Sequence, residues 1–234
     1  MPRRLTDNHI LRELPVKEAD LLQPRLERMR FKRGDIVIDD GMPCEHLVFP
    51  TTAVVSLIQR FENGEAAEVA TIGCEGLLGV GTVLGGQPRA RLRHLVQIQG
   101  EGLRMSREDF ERCMSGSTVF SLHVNRYIGH LLETAYLNVA CNRLHTVEKR
   151  LARWLLMIRD RTNVDRLALT QQILATILGV TRPTVTVAAQ AMEEAGLIEY
   201  RHGVITIADR ARLQSAACEC YRIGRQRLKT TSGR

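Results

Sequence analysis

Apolar positions change rhythm twice along this chain. From Phe31 to about residue 107 they come in short alternating runs. "FKRGDIVIDDG" has a turn at Gly34-Asp35, a β-branched run and then Gly41. "HLVFPTTAVVSLIQRFENGEAAEVATIG" alternates strand-like runs with the pair Asn63-Gly64, a strong signal for a tight hairpin. "RLRHLVQIQGEGLRMS" continues in the same style. Short strands at intervals of about 8–12 residues predict a sandwich or barrel. Ahead of them, "ILRELPVKEADLLQPRLERMR" reads as one or two short helices punctuated by Pro15 and Pro24.

At Ser106 the period becomes helical. Ser106 with Asp109 three residues on is a variant of the capping box. From Ser117 to Asp160 the chain has no proline and is apolar at helical spacing. Ile128, Leu132, Ala135 and Val139 follow the 4-3-4 spacing of a coiled-coil seam, with Asn125 and Asn142 extending it as polar members. A helix this long cannot bury its stripe against a small β-domain alone. It pairs with its copy in a second chain, the reading preferred here, or it is a core helix of a monomer.

The third pattern is "LTQQILATILGVTRPTVTVAAQAMEEAGLIEY", Leu169 to Tyr200. Thr170 is placed to cap a helix whose apolar face is Ile173, Leu174, Ile177 and Leu178. Gly179 takes the left-handed conformation that ends a helix, and Val180 plugs the space between helices. Thr181 is a good N-cap, and Pro183 is tolerated in a first turn because its missing N–H has no intrahelical role there. Val185, Ala188, Ala189 and Met192 give the second helix its buried stripe, and Gly196 stops it. "LIEYRHGVITIAD" then reads as a hairpin around His202-Gly203. Two short helices, a glycine turn and a hairpin make a winged helix-turn-helix.

That arrangement presents the first turn of its second helix to a partner. Thr181 and Thr184 are placed to donate to phosphates or base edges, and the planar fork of Arg182 suits a guanine edge or a phosphate. Thr186 projects from the same side, Thr170 and Gln171 open the preceding helix, and Arg201 and His202 sit at the wing tip. The plainer alternative is an αα-hairpin used only for packing.

Charge sharpens the choice. Residues 147–234 carry 15 Lys/Arg against 8 Asp/Glu, whereas residues 1–146 carry 18 of each. The whole formal +7 therefore sits in the last third, as expected of a module that meets a polyanion. Aromatics are only 4%, so the core is expected to be built from Leu, Val, Ile and Ala. The six cysteines contain no C-x-x-C pair, and Cys218-Glu-Cys220 is poor spacing for zinc. Reduced, mostly buried thiols are expected, with no metal ligand among them. No apolar run approaches the ~18 residues of a membrane span, and "MPRRLTDNHILREL" does not read as a signal peptide, so a cytoplasmic protein with no membrane partner is expected. Neither a metal triad, a nucleophile elbow nor a telling pair of carboxylates points to an enzyme.

The order of parts resembles the CRP/FNR superfamily of bacterial transcription regulators. The residues that carry the resemblance are "FKRGDIVIDDG", "LLGVGTVLGGQPRAR", "VEKRLARWLL" and "LTQQILATILGVTRPTVT", which together span nearly the whole chain. The resemblance implies an α+β protein: an N-terminal jelly-roll-like β-roll, a long central dimerisation helix and a C-terminal winged helix-turn-helix. The expected segments are 1–107 for the N-terminal helices and effector-binding roll, 108–146 for the connector and dimerisation helix, and 147–234 for the DNA-binding domain. It implies double-stranded DNA, a second copy of the chain and RNA polymerase as partners.

The resemblance also frames the effector. In members that bind cyclic nucleotides, a short helix offers backbone amides to the phosphate, a glutamate after the first glycine holds the ribose, and an arginine before a serine or threonine neutralises the phosphate. Here the first glycine is Gly79, the glutamate position is Val80, the arginine is Arg89 and the hydroxyl position is Ala90. The base-contacting pair of the central helix falls at Thr134-Ala135 or Ala135-Tyr136. Valine cannot accept the ribose hydrogen bonds, and an unpaired buried hydroxyl costs about 1–3 kcal/mol, so cyclic AMP is not expected. Arg89, Arg91 and Arg93 alternate and are expected to face one side of a strand, where a small anionic effector is one reading and a solvated edge the other. The closely spaced N-terminal cysteines of the iron–sulfur sensors are lacking, so such a cluster is not expected. His46, His94, His123 and His130 are the available haem ligands, and haem is not expected either. A cyclic-nucleotide- or anion-binding module acting on a protein partner remains the alternative function.

Overall fold

The computed structural model describes residues 7–231, with side chains described through 228. The outer ends of the first and last expected segments, 1–6 and 232–234, lie outside the described residues. Two short helices, α1 (His9–Arg12) and α2 (Val16–Leu22), lead through a 3-10 turn into the strands β1 (Glu27–Phe31), β2 (Ile36–Ile38), β3 (His46–Pro50), β4 (Val54–Arg60) and β5 (Ala66–Ile72). A short helix, α3 (Val80–Leu84), interrupts them before β6 (Arg93–Ile98) and β7 (Gly100–Ser106). Then come α4 (Arg107–Gly116), α5 (Thr118–Leu144) and α6 (Val147–Thr162). The last part holds β8 (Arg166–Ala168), α7 (Gln171–Leu178), α8 (Arg182–Glu194), β9 (Ile198–Arg201), β10 (Val204–Ile207), α9 (Arg210–Ala216) and α10 (Cys220–Thr231).

Two compact units divide the chain. Among the described residues, one comprises 7–60, 69–133 and 228–231; the other comprises 61–68 and 134–227. The α+β class expected from the sequence is what the structure has.

The first unit is the β-roll. Its strands form two sheets, ordered β1-β7-β3 and β2-β6-β4-β5. The inward faces and the helices α1, α2 and α4 close a core containing Leu11, Leu47, Phe49, Leu77, Met105, Phe110 and Phe120. Phe110 and Phe120 meet edge to face with ring centres 5.8 Å apart, a favoured aromatic geometry. Ser106 caps α4 as expected: its Oγ accepts from the Asp109 N–H at 3.0 Å and donates to the Asp109 carboxylate at 2.8 Å.

The second unit contains the winged helix-turn-helix. Leu151, Leu155, Leu174, Val185, Ala188, Ala189, Met192, Ile205 and Leu213 are all buried there. The hairpin of β9 and β10 turns at His202 and Gly203, whose φ values of 50° and 74° suit a tight primed turn. A third strand, β8, pairs with β10 and widens the expected two-stranded hairpin to the sheet order β8-β10-β9. Among the described residues no single helix is long and apolar enough to cross a membrane.

Candidate nucleic-acid interface and effector cavity

The helix pair α7 and α8 is set by its caps. Thr170 Oγ1 accepts from the Ile173 N–H at 3.3 Å, and Gly179, at φ 62°, ends α7 in the left-handed conformation. Thr181 then starts α8 by accepting from the Thr184 N–H at 3.4 Å. The two helices cross at 101°, inside the range of a helix-turn-helix. The wing is tied to α8 and to the segment that leads into α7. Tyr200 N–H donates to Glu193 Oε1 at 2.8 Å, Tyr200 Oη donates to the Leu169 carbonyl at 2.9 Å, and the Leu169 N–H donates to the Gly203 carbonyl at 2.7 Å. Burial pushes the Tyr200 phenol up, so it remains a donor, while the nearby Arg182 charge opposes that shift.

Thr170, Thr181, Arg182, Thr184, Arg201 and His202 are exposed, while Gln171 and Thr186 are half-buried. Arg182 Nε donates to Gln171 Oε1 at 3.1 Å, so the amide holds the guanidinium stem without neutralising it. The Thr181 and Thr184 hydroxyls lie 2.8 Å apart. One of their two protons is spent on that contact, and the other stays available to an outside acceptor. Thr186 Oγ1 donates back to the Arg182 carbonyl at 3.1 Å, so its methyl rather than its hydroxyl is the outward group. Sequence reasoning missed Val187, which is 64% exposed on the same helix. Its position among the buried Val185, Ala188 and Ala189 was the available signal. An apolar group there suits the methyl of thymine in a major groove.

The second candidate site is in the roll. A cavity of about 200 Å³ is lined by Leu57, Ile72, Leu77, Gly79, Val80, Gly81, Thr82, Gln87, Arg89, Arg91, Leu92, His94 and Leu131. Gly79, at φ 87°, starts α3 in a conformation that glycine adopts at little cost. Val80 lines the cavity, as does Arg89, which donates to the Gly41 carbonyl at 2.7 Å. Ala90 instead joins the hydrophobic core, and on α5 it is Leu131, not Thr134, that reaches the wall.

The expectation that Arg89, Arg91 and Arg93 share one strand face is corrected. β6 begins only at Arg93, and the residues before it form an irregular segment bridged to Pro43. Arg93 turns away to a bidentate pair with Asp39, at 2.7 and 3.0 Å, which also lowers the Asp39 carboxyl below its usual range. His94 is the residue whose place the sequence did not show. It is 5% exposed, and burial lowers its pKa to about 4. Its Nδ1 has no hydrogen-bond partner among the described residues, so the cavity wall holds a neutral imidazole with an open polar atom. Of the other histidines, His46 is exposed and His123 Nδ1 is 2.8 Å from the Val119 carbonyl.

Of the four residues expected at a seam on α5, two are exposed and two are partly buried. Leu132 and Val139 are 50% and 61% exposed. Ile128 packs on the roll core, and Ala135 is half-buried. The exposed apolar stripe is instead Leu122, Leu132, Tyr136 and Val139, with Asn125 and Gly129 exposed between them. These positions fall at alternating steps of three and four, the spacing of a knobs-into-holes seam.

Comparison with known proteins agrees with both parts. Residues 149–216 match the model of the Crp-like helix-turn-helix domain, and residues 28–117 match that of the cyclic nucleotide-binding domain. The fold is shared with a protein assigned to the Crp/Fnr family of transcriptional regulators from Eubacterium rectale, at TM-score 0.71 and 18% identity, covering 88% of this chain and 96% of that one. It is shared with FixK2 of Bradyrhizobium japonicum, at TM-score 0.68 and 17% identity, over 82% of this chain and 98% of that one. It is shared too with the c-di-GMP responsive global regulator CLP of Xanthomonas campestris, at TM-score 0.65 and 17% identity, over 83% of this chain and all of that one (100%). At these identities the likeness is one of fold. Among curated proteins, no sequence matches the chain significantly.

Proposed function

Because the chain belongs to the CRP/FNR superfamily of transcription regulators, we propose that it acts as a homodimer reading a near-palindromic DNA site with the first turn of α8. The observation that carries this reading is the state of Arg182. It is exposed at a helix N-terminus, steadied by a neutral amide and flanked by the capping Thr181 and by Thr184. A helix N-terminus with a cation and hydroxyl donors is complementary to phosphate and to guanine edges. In this reading Thr181, Thr184 and Val187 contact the groove, and Thr170, Gln171, Arg201 and His202 contact the flanking backbone. The exposed stripe of α5 pairs two copies, and half-sites lie about one helical turn (~34 Å) apart. The superfamily consists of transcription regulators, and the reading assigns this chain no catalytic step.

The effector is taken to be other than cyclic AMP. Val80 puts methyl groups where a ribose hydroxyl needs an acceptor, and Ala90 offers no hydroxyl. The cavity of about 200 Å³ is also below the roughly 300 Å³ at which pockets for drug-sized ligands begin. A small polar or anionic ligand that accepts from Arg89 or Arg91 and donates to His94 Nδ1 fits its chemistry. Such a ligand shifts DNA affinity only by the difference in its affinity for the two states of the dimer.

A gel-shift titration against random duplex DNA at two salt concentrations tests the reading. Retention that weakens steeply with salt, with excess affinity for a symmetric subset, supports it. A protein that binds no duplex at low salt refutes it and favours a module acting on a protein partner.

A further inference from the structure

Four donor side chains that the regulator reading leaves unused meet in the second unit. Cys141, Cys218 and Cys220 are buried, His145 is half-buried, and their ligand atoms all lie within 4.8 Å of one another. We propose that these four residues bind one Zn²⁺ ion in a closed tetrahedral site. That site clasps the end of α5 to the segment entering α10.

The distances suit the ion. Zinc bonds of about 2.3 Å to sulfur and 2.0–2.1 Å to nitrogen require tetrahedral edges of roughly 3.8 Å between sulfurs and 3.6 Å from sulfur to nitrogen. Cys141 Sγ lies 3.6 Å from Cys218 Sγ, and Cys220 Sγ lies 3.7 Å from His145 Nδ1. Three thiolates and an imidazole form one of the donor sets of structural zinc. A full complement of protein ligands in a buried setting leaves no open position for substrate, so the site is structural.

Local structure explains how the donors converge. Cys141 and His145 are four residues apart, and the His145 N–H donates to the Cys141 carbonyl at 3.1 Å, so the last helical turn places both on one face. Cys218 and Cys220 flank the start of α10, where the Tyr221 N–H donates to the Cys218 carbonyl at 3.0 Å. Outer partners complete the design. His145 Nε2 lies 3.3 Å from a Glu219 carboxylate oxygen, which selects the tautomer that leaves Nδ1 free to ligate. Three thiolates on Zn²⁺ leave a net charge of −1. The Arg153 guanidinium, 8% exposed and with its Nε unpartnered among the described residues, stands close enough to Cys141 and Cys220 to offset it.

The test uses the full-length protein, purified reduced and without chelators, with metals measured by mass spectrometry. The expected result is about one zinc per chain, kept through gel filtration. Co²⁺ exchanged into the site is expected to give thiolate charge-transfer bands and the intense ligand-field bands of a tetrahedral centre. Cys220→Ser and Cys141→Ser lose the metal, whereas Cys113→Ser keeps it. Glu219→Gln, an exposed change that spares all four ligands, weakens zinc binding by roughly 10–100-fold. That variant keeps the proposal testable if the serine variants fail to fold. Three outcomes overturn it: a folded, reduced wild type that takes up neither zinc nor cobalt; a coloured protein containing iron and acid-labile sulfide; or serine variants that retain zinc at the wild-type level.

Discussion

Arginines of the β-roll and those flanking the α7–α8 turn are partnered differently. In the β-roll Arg28 and Arg30 share Glu101, Arg104 reaches Glu27 at 2.7 Å, and Arg107 reaches Glu111 at 2.8 Å. In the winged unit Arg159, Arg210 and Arg225 are likewise answered by Asp165 and Asp160. At the reading surface, however, no carboxylate among the described residues pairs with Arg182 or Arg201. A cation already facing a carboxylate offers little net field to a polyanion, because the two opposite charges largely cancel at a distance. The +7 of residues 147–234 therefore matters less as a total than as guanidinium groups without a carboxylate, Arg182 at the start of α8 and Arg201 on the wing.

The largest expected break removes the proposed pairing of two copies along α5. Leu132→Asp puts a carboxylate into the exposed stripe of α5, and sedimentation is expected to show the mass falling to that of one chain. Unchanged mass would end the seam assignment.

The next effect separates the roll from the head by pH. His94 is neutral in the fold with a pKa of about 4, against 6.5 in its unperturbed state. Below 6.5 the unfolded chain binds a proton that the folded roll refuses, so this contribution to stability declines as pH falls from 6.5 to 4. The depressed pKa corresponds to about 3 kcal/mol over that window. Denaturant unfolding of wild type and His94→Asn at several pH values should show a shallower acid loss in the variant. Parallel curves would remove His94 from this role.

The two classes of arginine are compared directly by substitution. Arg182→Ala is expected to cost roughly 1–3 kcal/mol on the preferred DNA and to relax one base position. Arg104→Ala, whose partner is Glu27, should change DNA affinity by less than about 0.5 kcal/mol. Equal losses would dissolve the distinction. A uniform loss on every sequence would make Arg182 a phosphate contact instead. Thr181→Ala removes a cap and should lower stability by about 0.5–2 kcal/mol in thermal unfolding, with a matching loss of DNA affinity. The smallest effect is expected at the wing, where Arg201→Ala reduces the slope of log affinity against log salt by about 1.

What the sequence made legible is what neighbours in the chain decide. Asn63-Gly64, Ser106 with Asp109, Gly179 and Thr181 each fix a local conformation, and each turn or cap stands where the pattern put it. The reading helix, its buried stripe and its wing followed from the same local rules. What stayed hidden depends on distant partners. Ile128 packs on the roll core rather than standing exposed beside Leu132, which no periodicity along α5 alone reveals. Arg93 left the cavity because Asp39, far back in the chain, holds it. The donor cluster was invisible because Cys141 and Cys218 are 77 residues apart, and the C-x-C pair looks unsuited to zinc until His145 and Cys141 complete it. β8 was missed because three residues are too few to show a period.

Selection of bound duplexes from a random pool, followed by sequencing, bears most directly on the central claim. The account predicts enrichment of a two-fold symmetric motif whose half-sites lie about one helical turn apart, and loss of one position in each half-site with Arg182→Ala. A pool that stays random after repeated rounds, while the protein remains folded and dimeric, would contradict it.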